Sequence, residues 1–438
     1  MTDRITEIAA GLRAAAQRVG TPVYVTDVAT VDAAAAEVRA AFPDPWLRSF
    51  SVKANDVPAV VAAVVGRGFG ANVVSRGEWT LARRAGVPNA ATTLEGIGKS
   101  DGDLRAVVRA AADGDPLRWT AVESADEAAA LAALARAAGL HGASRVDVLL
   151  RLNPAVTPET HRGLAVGAAS SKFGLADDEI AAAIEAGGGR DGPLRWRGIH
   201  LHVGSQLAAV DAWRDAVRRA LAVGALVRED DPTFDTLDVG GGFPVSIEGD
   251  DDAVPRPARF AAELAPLLDA IPPERRPTRL AVEPGRFLVA RAGYLVARVL
   301  HVRDGRGPDG GPQVVLDAGM AELIRPALFG ARHRVVALTA DGRPVHPGDR
   351  RAGHRVRPIG SELPTAVEGP ICESTDTLGV HELPALRRGD LVAILDTGAY
   401  GVSMSTRYNG RPRPPQVLIE TDGRLVVARQ RGRLASLA

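Results

Sequence analysis

RGIHLHVGSQLAAVDAWRDAVRRALAVGALVREDDPTFDTLDVGGGF, residues 197–243, reads as strand, helix, strand. RGIHLHV (197–203) and FDTLDVG (234–240) are short strand-like runs, and DAWRDAVRRALAVGALV (211–227) between them carries a helical pattern. A helix linking two strands implies a βαβ unit and a parallel sheet. Working outward, the same alternation extends from Arg48 to Glu283. Its other strand-like runs are RSFSVK (48–53), GANVVS (70–75), AATTLE (90–95), RWTAVE (118–123), RVDVLLRL (145–152) and RLAVE (279–283). An open doubly wound sheet would also alternate. Eight units fit the ~250-residue size of a closed (β/α)8 barrel, so an α/β, TIM-like barrel is expected over residues 29–285.

After Arg286 helical periodicity fades. Apolar runs such as GYLVARVLHV, PQVVLDAG, HRVVALT, DLVAILDTG and PQVLIE are separated by DGRGPDGG (304–311), DGRPVHPGDRRAG (341–353) and RRGD (387–390). This predicts a C-terminal β-rich domain. TPVYVTD (21–27) is a further strand that this domain can borrow, so residues 1–28 are grouped with 286–438. Asp250, Asp251 and Asp252 read as a solvated loop.

The 438 residues carry 53 Lys plus Arg against 53 Asp plus Glu. A neutral balance argues against a nucleic-acid partner. One cysteine, Cys372, excludes an internal disulfide framework and a cysteine-rich zinc site. No apolar run approaches the ~18 residues of a membrane span, and the charged amphipathic N-terminus lacks the features of a signal peptide. A cytoplasmic protein is expected, with no membrane partner. Lys53, Lys99 and Lys172 are the lysines of the chain, so chemistry that needs a primary amine has few candidates.

Barrel active sites lie at the C-terminal ends of the strands. There the sequence puts Lys53 after strand one, His200, His202 and Ser205 around the end of strand six, Gly240, Gly241 and Gly242 after strand seven, and Glu283-Pro-Gly-Arg286 after strand eight. These types suit pyridoxal 5'-phosphate, which takes a lysine amine, a partner at its pyridine nitrogen and a phosphate cradle. Glycines let backbone N–H groups approach a phosphate, and an arginine clamps it. Lys99 and Lys172 read as structural or solvated, and His200 as a core histidine. His161 stays open between the two readings. HLH resembles a metal pair, but no third ligand has suitable spacing, so no metal is assigned.

FSVKAN, ANVVSRGEW, SKFG, GIHLHVGSQ, LDVGGGF, EPGR, LIRPALF, GPICESTD and GAYG occur in order between residues 50 and 401, within a likeness that runs from about residue 21 to 417. The series resembles the fold-type III, pyridoxal-phosphate-dependent decarboxylases of the diaminopimelate and ornithine decarboxylase group, and within it the diaminopimelate decarboxylases most. The resemblance implies an alanine-racemase-like barrel followed by a β domain. It gives Lys53 a Schiff base with the cofactor, His202 a stacking role on the ring, and Glu283 the pyridine nitrogen. It assigns Ser205, Gly240–Gly242, Gly285, Arg286 and Tyr400 to the cofactor, chiefly its phosphate. Arg286, Arg325, Phe329, Glu373 and Tyr400 are implied in substrate binding, and Cys372 in protonating Cα. It further implies a homodimer with shared sites, the Cys372–Glu373 segment coming from the other subunit.

An acid at the pyridine nitrogen favours decarboxylation over racemisation, because a protonated ring is the stronger electron sink. The expected reaction converts meso-diaminopimelate to L-lysine and CO2. The alternatives are a decarboxylase of ornithine, lysine or a specialised amino acid, and, further off, an amino-acid racemase. Phe329 stands where a tyrosine is usual in this family, which bears on the substrate rather than the cofactor.

Overall fold

In the computed structural model, residues 4–246, 253–338, 344–345 and 363–434 are described. The segment Asp250–Asp252 and most of 341–353 lie outside them. The chain divides into two units, residues 33–246 with 253–288 and residues 4–32 with 289–434.

The chain opens with α1 (Arg4–Val19), β1 (Val23–Asp27) and α2 (Val28–Ala41). Eight barrel strands follow: β2 (Leu47–Ser51), β3 (Gly70–Val73), β4 (Thr92–Leu94), β5 (Trp119–Val122), β6 (Val146–Leu152), β7 (Leu194–Leu201), β8 (Thr236–Asp238) and β9 (Arg279–Val282). Each pairs in parallel with the next, and β2 pairs with β9 through Leu47↔Ala281 and Arg48↔Val282 to close the barrel. The closed eight-stranded barrel matches the sequence expectation. The strands are short and almost wholly buried, as a parallel sheet covered by helices demands.

Helices α3 (Pro58–Val65), α4 (Arg76–Arg84), α5 (Asp101–Ala112), α6 (Ala125–Ala137), α7 (Glu179–Ala186), α8 (Asp211–Asp230) and α9 (Pro257–Asp269) form the return paths. Ser75, Ser100 and Ser124 cap α4, α5 and α6, each accepting the backbone N–H three residues on. Such a cap contributes about 1 kcal/mol and sets where the strand's exit loop ends. In α5 the apolar positions Leu104, Val107, Val108 and Ala111 fall on one buried stripe, the i, i+3, i+4, i+7 pattern of an amphipathic helix.

The other unit is built on a ten-stranded mixed sheet. After the short α10 (Arg286–Val289) come β10 (Gly293–Arg303), β11 (Gln313–Leu316), the short α11 (Arg325–Phe329), β12 (Val335–Leu338), β13 (Pro344–Val345), β14 (Leu363–Glu368), β15 (Thr377–Leu383), β16 (Leu391–Ile394), β17 (Gln416–Ile419) and β18 (Leu425–Arg429). The main order is β13-β12-β16-β10-β1-β17-β18, and β11, β14 and β15 continue from β10. The N-terminal strand β1 is interior: it runs antiparallel to β10 and parallel to β17. Helix α1 presents Ile5, Ile8, Ala9, Leu12, Ala15 and Ala16 along one face, which packs on Val23, Val25, Val296, Ala393 and Val417 of the sheet. Arg4 anchors the start of that helix with two hydrogen bonds, of 2.8 and 2.9 Å, to the buried Asp27 carboxylate.

Candidate active site

The barrel brings its chemistry to the C-terminal ends of the strands. β2 ends at Ser51, and a single 3-10 turn, Val52–Ala54, carries Lys53 out of the strand. Glu78, His200 and His202 all feel the charge of Lys53, so the amine sits among groups from two other stretches of chain, the start of α4 and the end of β7. Glu78 reaches back from the first turn of α4 to accept the N–H of Val74 at 3.0 Å, and burial pushes its carboxyl above the usual range.

His202 follows the end of β7 and is half-buried. Burial first, then the charges of Lys53 and Arg151, hold its imidazole well below the ordinary pKa, so it is neutral at pH 7. Its Nδ1 accepts the N–H of Gly241 at 3.3 Å, which fixes the ring against the glycine loop. That loop is tightly held. A Cβ on Gly241 would lie 2.2 Å from the carbonyl oxygen of Glu283, one on Gly240 2.3 Å from that of Leu201, and one on Gly242 2.5 Å from that of Gly204. Gly240 and Gly242 also adopt positive φ, 67° and 101°, which favours glycine. The triplet lets the ends of β7, β8 and β9 meet backbone to backbone.

Beside it, the buried Arg286 donates from Nε and Nη2 to the hydroxyl of Ser205, at 3.2 and 3.0 Å. Ser205 is itself held, since Thr160 Oγ1 donates to its carbonyl at 2.6 Å. A guanidinium with a hydroxyl at its side is a donor set that suits an anion.

Glu283 follows β9 and is 5% exposed. The amide of Asn72, at the end of β3, donates to its Oε1. His200 Nε2 lies 3.5 Å from its Oε2 and 3.1 Å from Oε2 of Glu95. Glu95, His200 and Glu283 place ligand-type atoms within 4.8 Å of one another. The cluster takes in His200 but not His202, so it does not complete the HLH pair as a metal site. Asp238, at the end of β8, accepts the Gly240 N–H at 2.9 Å. Burial holds His200 down at about 4, while burial and the neighbouring Glu283 push Glu95 up to about 8 and Asp238 well above the carboxylate range. His200, expected as a core histidine, is thus buried among acids.

Asn72, Glu95 and Asp238 were not singled out in the sequence. Each ends or follows a barrel strand, so the rim rule that found Lys53 and Glu283 points to them too. A second buried pair lies alongside: Arg151 Nη1 donates to Glu123 Oε1 at 2.7 Å, Glu123 Oε2 accepts the Gly174 N–H, and the guanidinium stacks 4.9 Å from the Phe173 ring.

In the other unit, Arg325 opens α11 and is 5% exposed. Its guanidinium lies over the rings of Phe329 at 5.2 Å and Tyr400 at 5.6 Å. Cys372 and Glu373 occupy an exposed segment, so the thiol is not a buried packing group. Asn409 Nδ2 donates to the Cys372 sulfur at 3.5 Å and the Tyr408 hydroxyl donates to Glu373.

The remaining singled-out residues have local roles. Lys99 is buried, 2.9 Å from Glu127, and donates to the Gly96 carbonyl. Lys172 is exposed and lies over Phe173. His161 accepts the Gly163 N–H within its own loop.

Residues 28–290 match the family described as "Pyridoxal-dependent decarboxylase, pyridoxal binding domain". The chain is 32% identical over 421 residues to the diaminopimelate decarboxylase of Aquifex aeolicus, covering 96% of this chain and 91% of the relative. It is 34% identical over 406 residues to that of Archaeoglobus fulgidus, covering 92% and 88%. Among solved structures it resembles diaminopimelate decarboxylase from Helicobacter pylori complexed with L-lysine, with a TM-score of 0.83, 26% identity, and coverage of 97% and 98%.

Proposed function

Because the chain belongs to the pyridoxal-dependent decarboxylases, we propose that it converts meso-diaminopimelate to L-lysine and CO2. One observation carries the reading: at the barrel rim, a buried acid, Glu283, is held by an amide on the same rim as Lys53, His202 and the Ser205–Arg286 pair. The donor set fits pyridoxal phosphate: an amine, an acid for a ring nitrogen, a neutral imidazole and a guanidinium–hydroxyl pair for a phosphate. When bound, that cofactor supplies a ring that takes up the electrons left at Cα as CO2 departs.

In this reading Lys53 anchors the cofactor covalently and His202 covers the ring face. Ser205, the Gly240–Gly242 loop, Gly285, Arg286 and Tyr400 hold the phosphate. Glu283 keeps a proton on the ring nitrogen, and the Asn72 amide keeps Glu283 aimed. Cys372 delivers the proton to Cα. Arg325, a permanent cation, reads the distal carboxylate of the substrate, and Glu373 its ammonium, with Arg286, Phe329 and Tyr400 also lining the substrate. The family resemblance supports a homodimer in which the Cys372–Glu373 segment serves the partner's barrel. The exposed free thiol of Cys372 suits a reducing compartment, which supports a cytoplasmic setting. Among the described residues no helix is long and apolar enough to cross a membrane.

The test is incubation of the purified holoenzyme with meso-diaminopimelate, with L-lysine, L-ornithine and the other diaminopimelate stereoisomers in parallel. Lysine and CO2 released from the meso isomer in equal amounts are expected. Release of CO2 from ornithine or lysine alone would move the chain to a different substrate.

A further inference from the structure

Three carboxyl groups share one buried pocket at the ends of β4, β8 and β9. Glu95, Asp238 and Glu283 are each no more than 5% exposed, and the carboxyls of Glu95 and Asp238 both contact that of Glu283. Their hydrogen bonding is unequal. Glu283 accepts the Asn72 amide. Asp238 Oδ1 accepts the Gly240 N–H and Glu95 Oε2 lies 3.1 Å from His200 Nε2, but the second oxygen of each, Asp238 Oδ2 and Glu95 Oε1, is buried and takes no hydrogen bond among the described residues. A carboxylate oxygen left in that state loses its hydration with nothing in return, and ionisation makes that loss larger. A protonated one becomes a donor, and the Glu283 carboxylate beside it is an acceptor. Like charges this close do not both ionise at neutral pH.

We propose that Glu95 and Asp238 are positioning residues that stand as neutral acids and donate into the cluster around Glu283. The value of that arrangement to catalysis rests on the reading that Glu283 serves the cofactor's ring nitrogen; the protonation of Glu95 and Asp238 does not. The surrounding groups agree. Glu95 faces Glu283, His200, Asp238 and Arg151. His200 also faces Glu123 and Lys53, and Asp238 also faces Arg118. His200 is neutral because burial holds it down at about 4, so it offers no charge to balance a second carboxylate.

The sign of the pH dependence is the reverse of that for a salt-bridged acid. The carboxyl of Glu95 is raised from 4.5 to about 8, so in that window the folded chain keeps a proton that the unfolded chain has lost. Stability therefore falls as pH rises from 4.5 and levels off above about 8.

The test compares chemical unfolding of wild-type holoenzyme with Glu95→Gln and Asp238→Asn, at fixed excess pyridoxal phosphate, from about pH 5 to pH 8. Both amides keep the volume and a donor but cannot ionise. The folding constant of wild type relative to Glu95→Gln is expected to fall about tenfold per pH unit, with the same direction for Asp238→Asn. A ratio that stays flat or rises overturns the proposal. So does a bound divalent cation, which would hold both carboxyls ionised and flatten the slope. A third variant, Glu283→Gln, separates the two readings. If it keeps wild-type affinity for pyridoxal phosphate, the assignment of Glu283 to the ring nitrogen fails while the slope of Glu95→Gln still stands.

Discussion

Replacing Gly241 by alanine tests how tightly the glycine loop ties the cofactor-side acid to the barrel. The new Cβ would sit 2.2 Å from the carbonyl oxygen of Glu283 and 3.1 Å from its carbonyl carbon. Both are backbone atoms, so no side-chain rotation relieves the contact, and the end of β9 has to move by roughly 1 Å to reach ordinary contact distance. Overpacking of this kind costs about 1–3 kcal/mol. For a unit of this size that is a fall in Tm of roughly 2–12 °C. Glu283 and Arg286 ride on the displaced segment, so affinity for pyridoxal phosphate should fall as well. Thermal unfolding followed by circular dichroism, with cofactor titration followed by absorbance, reads both effects. Gly98→Ala is the control, because a Cβ there meets nothing within 4 Å. A Gly241→Ala protein that melts with the wild type and binds cofactor equally well would refute the reasoning.

Lys53→Ala should remove the visible absorption band of the bound cofactor while leaving the far-ultraviolet circular dichroism spectrum unchanged; cofactor that stays covalently attached to the variant after borohydride reduction and dialysis would contradict the assignment. Cys372→Ala should lower turnover more than cofactor affinity, as compared by steady-state kinetics and cofactor titration, because the exposed thiol contributes little packing. Glu127→Gln leaves the buried Lys99 ammonium without its 2.9 Å partner, which should cost about 3–5 kcal/mol in denaturant unfolding, and adding Lys99→Met should recover part of the loss. Phe329→Tyr supplies a hydroxyl beside Arg325; a substrate hydrogen bond worth about 0.5–1.5 kcal/mol would lower KM roughly 2- to 12-fold.

The barrel was legible because each strand is announced locally. A short apolar run, a turn and an Ala-rich helix recur eight times, and closure follows from the count. Lys53 and Glu283 were legible for the same reason: each follows a strand, and strand ends are where barrels keep their chemistry. The acid cluster was not. Asn72 and Glu283 are 211 residues apart, and Glu95 looks like any acid at a helix approach until β4 is set beside the ends of β7 and β9. Spacing along the chain carries no record of a contact made by barrel closure. His200 is buried as the sequence suggested, but its neighbours were not legible, since a histidine on a buried strand looks alike whether it packs on leucines or carboxylates. The exposed setting of Cys372 was equally hidden, because a lone cysteine between proline-isoleucine and glutamate-serine fits either side of a surface.

The interior position of β1 sets an order on biosynthesis. Thr26 and its partner Gln416 are 390 residues apart, and at ~5–20 residues per second a ribosome needs roughly 20–80 s to travel between them. Until β10 (Gly293–Arg303) is made the first strand has neither neighbour, and from then until β17 (Gln416–Ile419) is made it has β10 alone. The barrel, whose strands pair in the order they are made, assembles during the same wait. Nascent chains stalled after β10 but before residue 416 should therefore hold a folded barrel and an N-terminal strand paired on one edge only, the β17 edge being open to chaperones or proteases.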